Sequence, residues 1–233
     1  MTQKITKVKQ PLIFKKNAFE AASWSNNRVV CGIDEVGRGC LAGPLVTAAV
    51  ILPPHTSYRM LKDSKIMTEE ERLKAYAWII KNCWFGIGIV HNRIIDQHNI
   101  WQATLIAMKK AVVHVIATSP YKPNLILVDA MPLTLTDTSY HGIPVHHFTQ
   151  GERRSSSIAA ASIVAKVRRD AMMHRYDTLF PGYYLASHKG YSTKKHMDSL
   201  TIQRQSIIHR TSFLGNLDIF NEVADEQQQQ TLC

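Results

Sequence analysis

Residues 28–52 read RVVCGIDEVGRGCLAGPLVTAAVIL, and the fold class follows from how this stretch divides. Val29, Val30, Cys31 and Ile33 lead into Asp34 as a first strand over residues 28–34, and residues 45–52 form a near-continuously apolar second strand. An apolar run of that kind implies a strand covered on both faces. Between the two lie Gly37, Gly39, Gly43 and Pro44, which are residues of turns. So short a link joins antiparallel neighbours; it cannot carry the chain back to a parallel one.

Outward from that pair, strands and helices alternate. Thr68-Glu69-Glu70-Glu71 is a capping box that starts a helix over residues 68–82, and residues 84–91 alternate as a third strand. In residues 94–117, Trp101, Leu105, Met108, Val112 and Val115 fall on one face of a long amphipathic helix. Residues 125–129 make a buried strand that needs this helix as its crossover, and residues 143–149 make a fifth. Helices follow over residues 156–179 and 193–200. Three strands in a meander and two helix-plus-strand units predict an α/β class, a mixed five-stranded sheet flanked by helices. Residues 1–27 read as a basic arm. Residues 216–233 read as a tail, disordered at its end where four glutamines run together.

The 233 residues carry 28 Lys and Arg against 18 Asp and Glu, a net charge of +10. That excess favours a polyanionic partner, nucleic acid before a membrane surface. With 45% hydrophobic and 20% charged residues, a wholly disordered chain is excluded. Cys31, Cys40, Cys83 and Cys233 form no C-x-x-C pair, which argues against a zinc or redox motif and suits reduced thiols in the cytoplasm. The apolar run at residues 45–52 is far short of the ~20 residues of a spanning helix, and no apolar segment follows the N-terminal lysines as a secretory signal requires. A cytoplasmic monomer with no membrane partner is expected.

Asp34 and Glu35 fall where the first strand runs out into glycines, and Asp129 closes Leu125-Ile126-Leu127-Val128. A carboxylate ending a buried strand is costly unless it is paired or coordinates a cation, and strand ends are where ligands gather. One such Asp more often caps its strand or pairs with a basic side chain. Two on adjacent strands meet, and their hard oxygens suit magnesium or manganese rather than zinc. Successive strand residues face opposite sides, so Asp34 and Glu35 share a site only if the strand breaks between them. Val36-Gly37-Arg38-Gly39 supplies such a break and leaves amide hydrogens free for a phosphate or sugar oxygen.

The run from Gly32 through Pro44 closely resembles the opening motif of type 2 ribonucleases H (ribonuclease HII). The resemblance continues, in the family's order, through Asp63-Ser64-Lys65, Asn99-Ile100, Val128-Asp129, residues 157–167, Arg169-Asp170 and His188-Lys189-Gly190-Tyr191. So many ordered blocks carry far more than one motif. The resemblance implies a ribonuclease H-like catalytic domain over residues 28–215, with a helical C-terminal extension. It implies an endonuclease that cuts 5′ of ribonucleotides embedded in duplex DNA, and the RNA of RNA–DNA hybrids, using two divalent ions, Mg2+ or Mn2+. Its service would be the removal of misincorporated ribonucleotides and RNA primers.

Carried over residue by residue, Asp34, Glu35 and Asp129 match three of the family's four catalytic metal-binding carboxylates. The fourth is usually the Asp of a Lys-Gly-Asp triplet. Here the triplet is Gln150-Gly151-Glu152, so Glu152 takes that role with one methylene more. The backbone of Gly37, Arg38 and Gly39 would recognise the ribose 2′-hydroxyl, the atom that separates RNA from DNA. Tyr191 would stack on the neighbouring deoxyribose, Arg38 and Lys189 would hold phosphates, and Lys65 would contact substrate. Asp170 is a rival to Glu152, but beside Arg168 and Arg169 an ion pair is expected of it. Cys40 stands where the family usually has proline, among small apolar neighbours that predict burial. Ala159, Ala160, Ala161, Ser162 and Ala165 read as a close-packing face. His146, His147 and His188 show no metal-ligand spacing and are expected at the surface or as minor substrate contacts. The competing reading is a nucleic-acid-binding module that lost cleavage, favoured only by the change at Glu152.

Overall fold

β1 (Val29–Val36) runs through the middle of the sheet. It pairs antiparallel with β2 (Leu45–Ile51) on one side and parallel with β4 (Pro123–Asp129) on the other. β3 (Trp84–Val90) extends the antiparallel side and β5 (Val145–Phe148) the parallel side, giving the order β3-β2-β1-β4-β5. Parallel pairing needs a crossover, and α3 (Asn92–Thr118) supplies it. The other helices are α1 (Ala18–Trp24), α2 (Glu69–Asn82), α4 (Gly151–Arg154), α5 (Ser156–Leu179), α6 (Leu185–His188), α7 (Lys194–Gln203) and α8 (Thr211–Leu214). The computed structural model describes residues 16–56 and 58–215, so the tail expected over residues 216–233 lies outside the described residues.

One face of the sheet packs on α3: Cys31, Ile33, Ile51 and Val128 meet Met108, Ala111, Val112 and Val115. The other packs on α2 and α5: Ala48, Val50 and Leu52 meet Ile79, Ala160, Ile163 and Val164. β2 is buried along its whole length, as its apolar run requires. The small residues of α5 bring that helix very close to β1. A Cβ on Gly32 would stand 2.2 Å from the Ile158 amide nitrogen, so only glycine fits. Asp34, two residues on, faces α5 as well.

Two stretches depart from the sequence pattern. Asn99, at φ 66°, interrupts α3, and its Oδ1 accepts from the Gln102 amide at 3.1 Å to start the helix anew. Trp101 is therefore 44% exposed and leaves the stripe that the periodicity assigned to it. In length and composition α3 could cross a membrane, but its apolar face is the one that covers the sheet. Of the expected 1–27 arm residues 16–27 are described, and there α1 docks on the start of α5. Buried Glu20 accepts from the Ser155 hydroxyl and from the Ser157 amide at 3.1 Å, while Asn17 Oδ1 accepts from the Ser156 amide at 3.0 Å. These acceptors satisfy amides that a helix start leaves orphaned, and the carboxylate complements its dipole.

The C-terminal helices close around three histidines, which corrects the surface expectation for His188. The His188 ring stacks on His196 at 4.3 Å, and His196 Nε2 lies 3.1 Å from His209 Nε2, all three being buried. His196 Nδ1 donates to the Tyr191 carbonyl at 2.9 Å, and His209 Nδ1 accepts from the Ser206 amide at 3.0 Å. With both rings neutral, His209 then donates across the pair. Burial pulls both imidazoles down to about 4 from 6.5. The unfolded chain takes up protons that the folded one refuses, so stability held above about pH 6.5 is lost as pH falls towards 4. Thermal melts across that window should show the midpoint falling, and a His196→Gln/His209→Gln variant should decline less steeply. An unchanged slope would place the acid sensitivity elsewhere.

Candidate active site

Asp34 and Asp129 stand at the carboxyl ends of adjacent parallel strands because Ile33 pairs with Val128. The turn after β5 returns the chain, and the Gly151 amide donates to Asp129 Oδ1 at 2.9 Å, which sets Glu152 beside it on α4. Oxygens of Asp34, Asp129 and Glu152 all lie within 4.8 Å of one another. Glu152, 4% exposed, reaches this cluster despite its longer side chain. Ser162 of α5 hydrogen-bonds to Asp34 and lies 2.8 Å from the Ser64 hydroxyl. Asp170 pairs with Lys166 at 2.9 Å, the ion pair expected of it, although with a partner one turn back.

Glu35 stands apart from the three. β1 does not break after Asp34 but continues to Val36, which pairs with Val46, so Glu35 leaves the opposite face of the strand. The turn comes later, at Gly37 with φ 92°. Glu35 Oε1 lies 3.7 Å from the Arg38 guanidinium, yet the carboxylate also feels the charge of Asp129.

Burial, then Glu35, with Asp129 and Glu152 behind it, lifts Asp34 well above the usual carboxylate range. Burial pushes Glu35 up to about 7 against the pull of Arg38, and Asp129 adds to the rise. Glu152 is raised by burial first and by Asp129 as well. Glu35 Oε2 and Glu152 Oε1 are buried without a hydrogen-bond partner. Lys65 approaches Glu152 at 3.6 Å, but its side chain is 78% exposed and offsets little of this charge. Burial lowers the Lys65 ammonium, and Glu152 and Asp34 more than reverse that. Crowded carboxylates with orphaned oxygens form a hole for a hard cation, and the donor set fits magnesium or manganese.

Under the glycine loop lie two side chains whose role the sequence did not reveal. Arg169 and Arg210 are both fully buried. Arg169 donates to the carbonyls of Pro44 (2.9 Å), Ala42 (3.2 Å) and Lys189 (2.8 Å). Arg210 donates to those of Gly37 (2.7 Å), Arg38 (2.8 Å) and Gly43 (3.0 Å). Arg169 follows Ser162 and Ala165 and precedes Met173 at helical spacing, a signal that it points inward. Arg210 sits outside any periodic segment, so no pattern marks it.

The Leu41 amide donates to the Gly190 carbonyl at 2.8 Å, tying the glycine loop to the loop bearing Tyr191. Tyr191 is 40% exposed, and its hydroxyl meets the thiol of Cys40, which is fully buried. The Lys189 ammonium is engaged by the Ala186 carbonyl, and no ion pair joins it to the carboxylates among the described residues.

The family model for ribonuclease HII matches residues 31–215. The chain is 42% identical over 196 residues to ribonuclease HII of Levilactobacillus brevis, which covers 84% of this chain and 72% of that protein. It is 43% identical over 199 residues to the enzyme of Lacticaseibacillus paracasei, covering 85% and 75%. The structure resembles ribonuclease HII of Archaeoglobus fulgidus, solved in a complex with PCNA, with a TM-score of 0.68 at 23% identity over 84% of this chain and 99% of that one. That likeness bears on the fold alone, and the five-stranded mixed sheet with its flanking helices is ribonuclease H-like. With the cation-fitting carboxylates at its strand ends, the chain belongs to the ribonuclease HII family and is a metal-dependent ribonuclease H acting on nucleic acid.

Proposed function

We propose that the protein hydrolyses the phosphodiester bond 5′ of a ribonucleotide embedded in duplex DNA, and RNA in RNA–DNA hybrids, leaving 3′-hydroxyl and 5′-phosphate ends. The observation that carries this reading is the meeting of Asp34, Asp129 and Glu152 within 4.8 Å of one another, with Asp34 on the strand that runs directly into the Gly37-Arg38-Gly39 loop. These three carboxylates, with Glu35 outside their cluster but within electrostatic reach of Asp129, would hold two divalent ions, Mg2+ or Mn2+. Bound ions supply Lewis acidity at the scissile phosphate, easing both attack by water and departure of the 3′ oxygen.

The protein's own groups supply position and selectivity. Ser162 holds Asp34 and the Gly151 amide holds Asp129, so the carboxylates keep their places as substrate arrives. The loop amides of Arg38 and Gly39 recognise the ribose 2′-oxygen, and the exposed Tyr191 ring takes the neighbouring deoxyribose. Arg38 and Lys65 offset phosphate charge, while Lys189 reaches a phosphate only by releasing the Ala186 carbonyl. The net charge of +10 draws the polyanion in. Glu152 sits inside the carboxylate cluster, which removes the one feature favouring a binding-only module. In the cell, a monomer in the cytoplasm would remove misincorporated ribonucleotides and RNA primers.

Duplex DNA with one ribonucleotide, incubated with Mg2+ or Mn2+, should be cut at the 5′ side of that nucleotide, and chelator should abolish the cut. Asp129→Asn should lower the rate by on the order of a hundredfold or more without unfolding the protein. A cut mapped to another bond, or an active Asp129→Asn enzyme, would remove the assignment.

Glu35 ionises at about 7 in the fold against 4.5 ordinarily, and Asp34 and Glu152 shift the same way. The metal-free fold therefore loses this contribution to stability as pH rises through about 7. Divalent ions bind the ionised carboxylates, so the thermal shift on adding Mg2+ should be larger at pH about 8 than at about 5.5. Equal shifts at both would contradict binding at these groups.

A further inference from the structure

Arg169 and Arg210 place two positive charges beneath the glycine loop, and among the described residues neither forms an ion pair. A buried cation is costly unless its donors are satisfied, and here backbone carbonyls satisfy them. Arg210 is the more telling of the two. Its Nη2 donates to Gly37 (2.7 Å) and Gly43 (3.0 Å), its Nη1 to Arg38 (2.8 Å) and its Nε to Gly43 (3.2 Å). A planar fork with fixed donor directions determines where those carbonyls point, and charge-assisted bonds hold them there.

In a planar trans peptide, the carbonyl of one residue and the N–H of the next point in opposite directions. Drawing the Gly37 and Arg38 carbonyls onto Arg210 therefore turns the N–H groups of Arg38 and Gly39 away from it. All peptide bonds here are trans, and neither amide has a hydrogen-bond partner among the described residues. Space lies open beside Gly39, where a Cβ would meet nothing within 4 Å. Behind the loop there is none: a Cβ on Gly37 would lie 2.2 Å from Arg169 Nε. The loop is clamped from below and bare above.

We infer that Arg210 is a positioning residue for ribonucleotide recognition: its guanidinium aims the Arg38 and Gly39 amides at the ribose 2′-oxygen. The inference rests on the proposed reading of that loop. It goes further by assigning the loop's orientation to a side chain from the far end of the domain. A lysine at residue 210 would keep the charge but supply one ammonium instead of a fork, so it could not hold Gly37 and Arg38 together.

The test is binding in chelator, where cleavage is off. Dissociation constants of wild type and Arg210→Lys are compared for a duplex with one ribonucleotide and for an all-DNA duplex of the same sequence. The preference for the ribonucleotide duplex should fall at least about tenfold in the variant, with all-DNA affinity unchanged. A merely structural role would weaken both alike, and that result, or a preference left intact in the folded variant, overturns the role of Arg210. A wild-type protein without any preference sinks the reading of the loop instead, so the two failures are distinct. Should Arg210→Lys not fold, amide exchange in the unmodified protein decides. The Arg38 and Gly39 amides should exchange fast when free and be protected by the ribonucleotide duplex alone. Slow exchange in the free protein overturns the inference, and equal protection by all-DNA duplex sinks the reading of the loop instead.

Discussion

Crowding like charges in a place that water barely reaches is the constraint on which this molecule is organised. Asp34, Asp129 and Glu152 come within 4.8 Å of one another, Asp34 and Glu152 buried and Asp129 half-buried, and separate elements must hold them there. The parallel register of β1 and β4 sets two of the acids side by side, and the Gly151 amide fixes the third through Asp129. Glycine at residue 32 lets α5 press on β1, which puts Ser162 within reach of Asp34. Glu20 and Asn17, from outside the sheet, in turn satisfy the first amides of α5. Each of these contacts keeps apart-tending charges together, and a divalent cation is the natural counterweight.

Charge of the opposite sign is buried just past the end of β1 and is handled differently. The Arg169 and Arg210 guanidiniums take backbone carbonyls as partners and, among the described residues, no carboxylates. The C-terminal helices thereby become part of the site. The Gly43 amide donates to the Ile208 carbonyl at 2.9 Å, the Arg210 amide to the Leu41 carbonyl at 2.8 Å, and Ala42 bridges to His209. The histidine pair next to this bridge holds the Tyr191 carbonyl, so both loops proposed to meet the ribose side of the substrate share one support.

How far all this could be read beforehand depended on the range of the interactions. Local patterns were legible. The apolar run at residues 45–52 marked a doubly covered strand, Thr68 to Glu71 marked a helix start, and the acids ending two buried strands marked a cluster. Misreadings came where a local pattern was overruled by something not local to it. Asn99 caps its own helix and so turns Trp101 outward, against a periodicity that ran straight through. Glu20 is the lone acid in a basic segment, and only the docked start of α5 gives it a purpose. Glu35 followed strand alternation where a break had been expected.

By itself the chain of residues determined the layering of helices on a mixed sheet and the identity of the acids that end its strands. Both are written in short-range periodicity and in the cost of burying charge. Tertiary structure alone decided which three carboxylates converge, how the glycine loop is turned, and that His188, His196 and His209 meet in the interior. Those outcomes depend on contacts between residues far apart in the chain, such as Arg210 with Gly37, and no spacing along a sequence records a distance across a fold.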